Sequence, residues 1–140
     1  MDTVSPAQRS SVMARVKGRD TRPEKILRSL LFRHGFRFRL HRADLPGKPD
    51  IVLPRYKSVV FVHGCFWHRH AGCKRASMPA SNRAYWERKF QRTVLRDAAN
   101  TLALEQLGWR VIIVWECELR TLRKSFEAFA AMIRRQADPS

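Results

Sequence analysis

Acidic side chains are scarce in this chain: 12 Asp and Glu stand against 28 Lys and Arg, for a formal charge of +16. That imbalance disfavours self-association, so a monomer is expected, and it points to a polyanionic partner. Nucleic acid is the simplest, with a membrane surface as the weaker alternative. No apolar run approaches the roughly 18 residues of a membrane-spanning helix, and the opening Met-Asp-Thr-Val-Ser-Pro lacks the basic-then-apolar order of a signal peptide. The chain is therefore expected to stay in the cytoplasm. Cysteine is rare as well. Three cysteines, an odd number, argue against a disulfide framework in a chain without an export signal and leave metal-binding or core roles. Internal repeats, low-complexity tracts and linkers are missing, apart from the final Ala-Asp-Pro-Ser.

What remains suits one domain: 140 residues, 44% hydrophobic, are enough to bury a core unaided. Residues 1 to 49 carry twelve basic and four acidic side chains, residues 50 to 98 ten and three, and residues 99 to 140 six and five, so the polyanion is expected against the first two thirds. Arg9, Arg15, Lys17 and Arg19 surround Val12, Met13 and Val16, which reads as a short basic helix or arm over residues 1–20, with a frayed solvated terminus as the alternative. Thr21-Arg22-Pro23-Glu24 is a capping-box pattern ahead of an amphipathic helix that Gly35 stops. Alternation over Phe36, Phe38 and Leu40 predicts a half-buried strand, Asp50–Leu53 a second, and Ser58–Val62 a third, apolar on both faces. Ser81 or Asn82 caps a long helix through Trp86, Phe90, Val94, Ala98, Leu102 and Leu107; Trp109–Trp115 reads as a buried strand with both tryptophans in the core, and a final helix runs around Leu122, Phe126, Phe129, Met132 and Ile133. The order α-β-β-β-α-β-α implies a mixed sheet flanked by helices, an α/β single domain.

Residues 61 to 73 concentrate three histidines, two cysteines and an adjacent Phe-Trp pair, a mixture that turn geometry does not require. Cys65-x4-His70-x2-Cys73 with the distant Cys117 offers a Cys3His set of the kind that encloses zinc, provided the strands ending at Val62 and Trp115 pair in parallel; the alternative is three buried thiols and a surface histidine. Asp50, His63 and His68, with Glu24 and Asp97, form a second set. A carboxylate facing the Val62 carbonyl suits Mg2+, a histidine oriented by a carboxylate suits the base that activates water, and a cationic His63 would stabilise charge on a phosphate. On the residues alone, Asp50 reads equally as a plain strand start, Glu24 as a plain cap, and Asp97 as part of a solvated helix face. Phe66 and Trp67 suit either a wedge that unstacks a base step or a small core beneath the loop.

Together these residues resemble the very short patch repair (Vsr) DNA mismatch endonuclease family. The likeness runs through Arg9-Ser10-x-x-Met13, Asp20-Thr-Arg-Pro-Glu24, Leu45-Pro-Gly-Lys-Pro-Asp50, Phe61-Val-His-Gly-Cys-Phe-Trp-His68, the helix from Trp86 to Asp97, and Gly108-Trp-Arg-Val-Ile-Ile-Val-Trp-Glu-Cys117. The resemblance implies a restriction-endonuclease-like fold of the PD-(D/E)xK type with a zinc-bound loop, in which Pro49-Asp50 opens the motif and Phe61 and His63 replace its second acid and lysine. It implies Mg2+ held by Asp50 and the Val62 carbonyl, His68 as base supported by Asp97, His63 near the phosphate, and Glu24 as an auxiliary acid. Zinc would sit on Cys65, His70, Cys73 and Cys117, and the wedge would be Phe66 and Trp67 with Met13 from the arm and Trp86 packed nearby. Residues 1–20 would be a DNA-binding arm, 21–136 the endonuclease domain and 137–140 a tail. The implied substrate is duplex DNA bearing a T:G mismatch, nicked 5′ to the thymine after 5-methylcytosine deamination. A bacterial nucleoid setting and functional links to a cytosine-5 methyltransferase and a repair polymerase and ligase follow. A restriction-type nuclease with another target, or a zinc-stabilised module that binds distorted DNA without cutting it, would carry many of the same residues.

Overall fold

A computed structural model describes residues 20–135. The expected basic arm over residues 1–19, with Met13, and the tail after 135 lie outside the described residues.

Helix α1 (Arg22–Arg33) begins where the capping pattern places it: the Thr21 hydroxyl accepts the Glu24 N–H at 3.4 Å. The return bond differs by one residue, because the Glu24 carboxylate accepts the N–H of Asp20 at 2.8 Å instead of that of Thr21. Gly35 ends the helix with φ +88°, a left-handed conformation that a Cβ disfavours.

The expected strand over Phe36–His41 reduces to one bridge, Arg39 with Val52. Arg39 exchanges both backbone hydrogen bonds with Val52, at 2.8 and 2.9 Å, but the strand it meets is only three residues long and His41 turns to positive φ. That strand, β1 (Ile51–Leu53), pairs antiparallel with β2 (Ser58–His63) across a one-turn 3₁₀ segment at Pro54–Tyr56. β2 pairs in parallel with β3 (Arg110–Trp115), from Ser58 opposite Arg110 to His63 opposite Trp115. The crossover is the long helix α2 (Arg83–Gln106), and after β3 come a 3₁₀ turn at Glu116–Glu118, helix α3 (Leu119–Lys124) and helix α4 (Glu127–Arg135). The single final helix expected from the sequence is thus two, divided at Ser125, whose backbone is extended.

The sheet order β1-β2-β3 leaves β3 at an edge among the described strands, not in the sheet centre. Its pattern agrees, since Ile112 and Val114 are buried while Ile113 is 38% exposed. Alternating side chains divide the core. Leu53, Val60, Ile112 and Val114 face α1, α3 and α4, whereas Val52, Val59 and Trp109 face Leu104 of α2. The result is a small α/β domain with a three-stranded mixed sheet between helical layers.

Helix α2 departs most from its expected face. Phe90 and Leu104 are its buried residues, while Val94, Leu95, Leu102 and Leu107 are exposed. The i, i+4 row chosen from the sequence shares Phe90 with the docking face but drifts about 40° of helical rotation at each step, whereas the face that docks carries Phe90, Asp97 and Leu104 at i, i+7 spacing. Asn100 on that face sits against Gly47, where an added Cβ would come within 2.9 Å of the Asn100 side chain. The turn leading to Asp50 is therefore clamped onto α2.

Candidate active site and metal cluster

Asp50 is the residue immediately before β1, and its Oδ2 accepts the Val62 N–H at 2.6 Å, beyond the last antiparallel pair. Glu24, on the first turn of α1 and 5% exposed, lies beside it. The capping role assigned to Glu24 is real, yet the same carboxylate also lines the cavity that holds Asp50. Arg28 approaches Glu24 Oε2 at 3.3 Å and Asp20 Oδ1 at 2.7 Å, and His41 lies 3.4 Å from the same Asp20 oxygen. None of this network beyond Glu24 was singled out from the sequence; its signal was only a charged residue at i+4 from Glu24.

Burial pushes Asp50 up to about 7 from an ordinary 3.8, opposed by the Val62 N–H and reinforced by the neighbouring Glu24 carboxyl. The folded state holds this proton more tightly than the unfolded chain, so the stability it contributes is complete below about pH 4 and lost as pH rises to about 7. Without divalent cations, Asp50→Asn is expected to melt above the parent protein by a margin that grows between about pH 4 and 7 and then levels. A margin constant across that window in calorimetric scans would count against the burial of an ionisable Asp50. The comparison cancels His63, whose contribution runs the other way. Burial and the adjacent His68 hold His63 down to about 4 from 6.5, so its contribution is present above about pH 6.5 and lost as pH falls to about 4.

His63 closes β2, and His68 is brought over it by a turn in which the His68 N–H donates to the Gly64 carbonyl at 3.1 Å. The two imidazoles stack at 3.8 Å with planes 6° apart. His68 Nδ1 meets Asp97 Oδ2 at 2.6 Å, so Asp97 on α2 is no solvated surface acid. His63 Nδ1 is buried with no hydrogen-bond partner among the described residues. Burial holds His63 below its usual range, so without DNA or metal the neutral ring offers one N–H donor near neutral pH. Glu24, Asp50, His63, His68 and Asp97 all line one cavity of about 940 Å³.

Cys65, His70, Cys73 and Cys117 form a second cluster, their ligand atoms within 4.8 Å of one another. The parallel register brings the end of β3 beside that of β2, and the following 3₁₀ turn carries Cys117 to the loop. Cys117 Sγ lies 3.4 Å from His70 Nδ1. Zinc bonds of usual length at a tetrahedral angle separate S and N ligands by about 3.5 Å, so the donor set and its spacing fit that ion. Trp115 stacks on the His70 ring at 4.3 Å and replaces the core role expected of it, whereas Trp109 is buried as expected. Burial pushes the Cys65 thiol up to about 12, while the Arg75 N–H holds Cys73 down at about 7.

Phe66 and Trp67 are half-buried, and Trp86 and Phe90 of α2 pack against them, with Phe66 5.9 Å from Trp86 and 5.1 Å from Phe90 between ring centroids. Arg69 grips the same loop: it donates to the carbonyls of Phe66, Ala76 and Ser77 at 2.8–3.2 Å and lies 4.0 Å over the Phe90 ring. From the sequence Arg69 looked like one more surface cation among 28. Its positive φ of 57° marks a turn that no local residue pattern announced.

Carboxylates and histidines converging in one cleft of a basic α/β domain are the groups that metal-assisted hydrolysis of a nucleic acid requires. Comparison with known proteins makes the class specific. The family model described as DNA mismatch endonuclease Vsr matches residues 1–75. The chain is 49% identical over 139 residues to the type II nicking enzyme V.XorIIP of Xanthomonas oryzae pv. oryzae, covering 99% of this chain and 98% of that one. It is 41% identical over 137 residues to the type II nicking enzyme V.NmeAIP of Neisseria meningitidis, covering 98% and 97%. With the DNA mismatch endonuclease Vsr of Escherichia coli it shares 46% identity over 123 residues, 88% of this chain and 78% of that protein. The chain belongs to the Vsr DNA mismatch endonuclease family, as its sequence implied, and is a DNA endonuclease. That membership sets aside the non-cutting module. Among the described residues no helix is long and apolar enough to cross a membrane.

Proposed function

We propose that this endonuclease nicks one strand of duplex DNA 5′ to the thymine of a T:G mismatch, with Mg2+ at Asp50 and zinc at the Cys3His cluster, on a PD-(D/E)xK-type fold. The observation that carries the reading is the single cleft in which the Asp50–Glu24 pair and the His68–Asp97 pair open beside Phe66 and Trp67. The Val62 N–H already points at Asp50, and an extended residue projects its N–H and C=O to the same strand edge, so the Val62 carbonyl faces the same side. Hard oxygen donors at that edge suit Mg2+, which would supply Lewis-acid stabilisation of charge at the scissile phosphate.

Asp97 holds the His68 Nδ1–H, leaving Nε2 to take a proton from water. The water oxygen bonds to phosphorus, the bond from phosphorus to the upstream 3′ oxygen breaks, and that oxygen takes a proton from solvent, so that 3′-hydroxyl and 5′-phosphate ends result. His63 would donate from its neutral ring to the phosphate, and Glu24 would hold the Asp50 side of the cleft. Phe66 and Trp67 would enter the duplex from one groove, backed by Trp86, and Met13 from an arm over residues 1–20. A mispaired step opens at lower cost, so the wedge selects it through deformability. The endonuclease domain would run over residues 21–136. DNA methylated by a cytosine-5 methyltransferase and then deaminated at the 5-methylcytosine would be the natural source of substrate, with a polymerase and ligase acting afterwards.

A second reading has support in the names of two relatives, which are type II nicking enzymes: the target here would be set by a different flanking sequence. One assay decides. A T:G duplex series with varied flanking pairs, alongside matched and A:C duplexes, is expected to be nicked only at T:G, and only with Mg2+. Equal nicking of matched duplexes would transfer the chain to the restriction-type reading.

A further inference from the structure

A second cavity, of about 570 Å³, lies beside the cleft. Arg22, Pro23 and Glu116 line both, so the two adjoin at the start of α1. Its walls are basic: Arg75 from the loop after the Cys/His cluster, and Arg120, Arg123 and Lys124 from α3. The spacing i, i+3, i+4 sets the three α3 cations on one face. Glu116 is the acid in this lining, and it is already engaged by the Cys65 N–H at 3.3 Å and by Arg75 at 3.9 Å. Arg22, Arg120, Arg123 and Lys124 have no acidic partner among the described residues. Four unpaired cations converging in a chain of +16 repel one another, and a row of anions relieves that repulsion. Composition did not foretell this patch, because residues 99–140 are nearly balanced in charge, six basic to five acidic.

We propose that this groove is a second DNA-binding track that takes the phosphodiester backbone of the duplex arm beside the cleavage site. The inference rests on the proposed function for the orientation of the DNA, and it adds a surface outside the cleft. Each lysine or arginine that meets a phosphate releases condensed counterions, so binding should carry a salt dependence owed to this groove.

The test is a triple variant, Arg120→Gln, Arg123→Gln and Lys124→Gln, at three exposed positions. Zinc content and melting temperature establish that it is folded. Binding of a T:G duplex without added Mg2+ is measured against NaCl concentration and against the length of each duplex arm. The parent should bind more tightly as one arm is lengthened, and the variant should lose that gain. Its dissociation constant should rise roughly tenfold or more, and the slope of log K on log salt should fall in magnitude by about 2.7, from three contacts at about 0.9 each. An unchanged slope and unchanged arm-length dependence would overturn the proposal. Loss of binding with the slope preserved would also overturn it, because that is the mark of a structural role. Absence of T:G nicking by the parent would instead refute the proposed function, and the arm-length dependence on matched duplex would still judge the groove.

Discussion

Asp50→Asn is expected to lower the nicking rate by at least about 10³-fold while leaving affinity for a T:G duplex within a few fold. Asn keeps an acceptor for the Val62 N–H, so the strand edge stays in place, but it removes the charge that would hold a divalent cation. Loss of metal-assisted stabilisation of several kcal/mol corresponds to that factor, at 1.36 kcal/mol per tenfold. Asn also relieves the like-charge contact with Glu24, so the variant should fold at least as well as the parent at neutral pH. Single-turnover nicking and equilibrium binding on one duplex separate the two effects. A variant that nicks within tenfold of the parent would refute the assignment of Asp50 to the reaction.

On the proposed zinc site, removal of the metal from the Cys/His cluster is the second large effect. Structural zinc in small domains contributes an apparent binding energy comparable to the whole net stability of a fold, so the stripped protein should melt far below the loaded one. The consequence reaches the cleft because the roles interleave along one loop. His68 lies between Cys65 and His70, and Phe66 and Trp67 follow Cys65 directly. Mismatch selectivity and nicking should therefore fall together. In the parent, chelation followed by elemental analysis and a T:G assay checks this, with Cys117→Ser as an independent route. Selective nicking that survives confirmed metal loss would break the coupling. Reloading should release protons, since the buried Cys65 thiol stays protonated without metal.

Local signals carried the sequence reading where chemistry is local. Thr21, Gly35, Pro49-Asp50 and the Cys-x4-His-x2-Cys spacing are all legible because cap, turn and ligand geometry are set within a few residues. Parallel pairing of β2 with β3 was the condition on which Cys117 could reach the loop, and that condition is met. Failures came where tertiary packing decides. Phe36–Leu40 alternates like a strand, but it finds only the three residues of β1 to pair with. Several apolar residues of α2 lie outward, and the docking face is chosen by Asp97 meeting His68 and Asn100 meeting the Gly47 turn, contacts that bridge tens of residues. Arg69 and Arg28 were missed for a related reason: in a strongly basic chain, a cation that serves the architecture looks like any other until its partners are seen.

The parallel pairing has a consequence for the order in which the chain becomes whole. Ser58 must find Arg110 at a sequence separation of 52, and only then does Cys117 reach Cys65, His70 and Cys73. Non-local parallel pairing is slow compared with forming α1 or the β1–β2 hairpin. During synthesis, Asp50, His68 and Asp97 all emerge before β3 exists. On the proposed roles, a polypeptide interrupted before residue 110 carries every group for hydrolysis and lacks the fourth ligand that fixes their loop. On those roles truncated products would be disarmed, and competence to cut DNA would arrive with the last quarter of the chain.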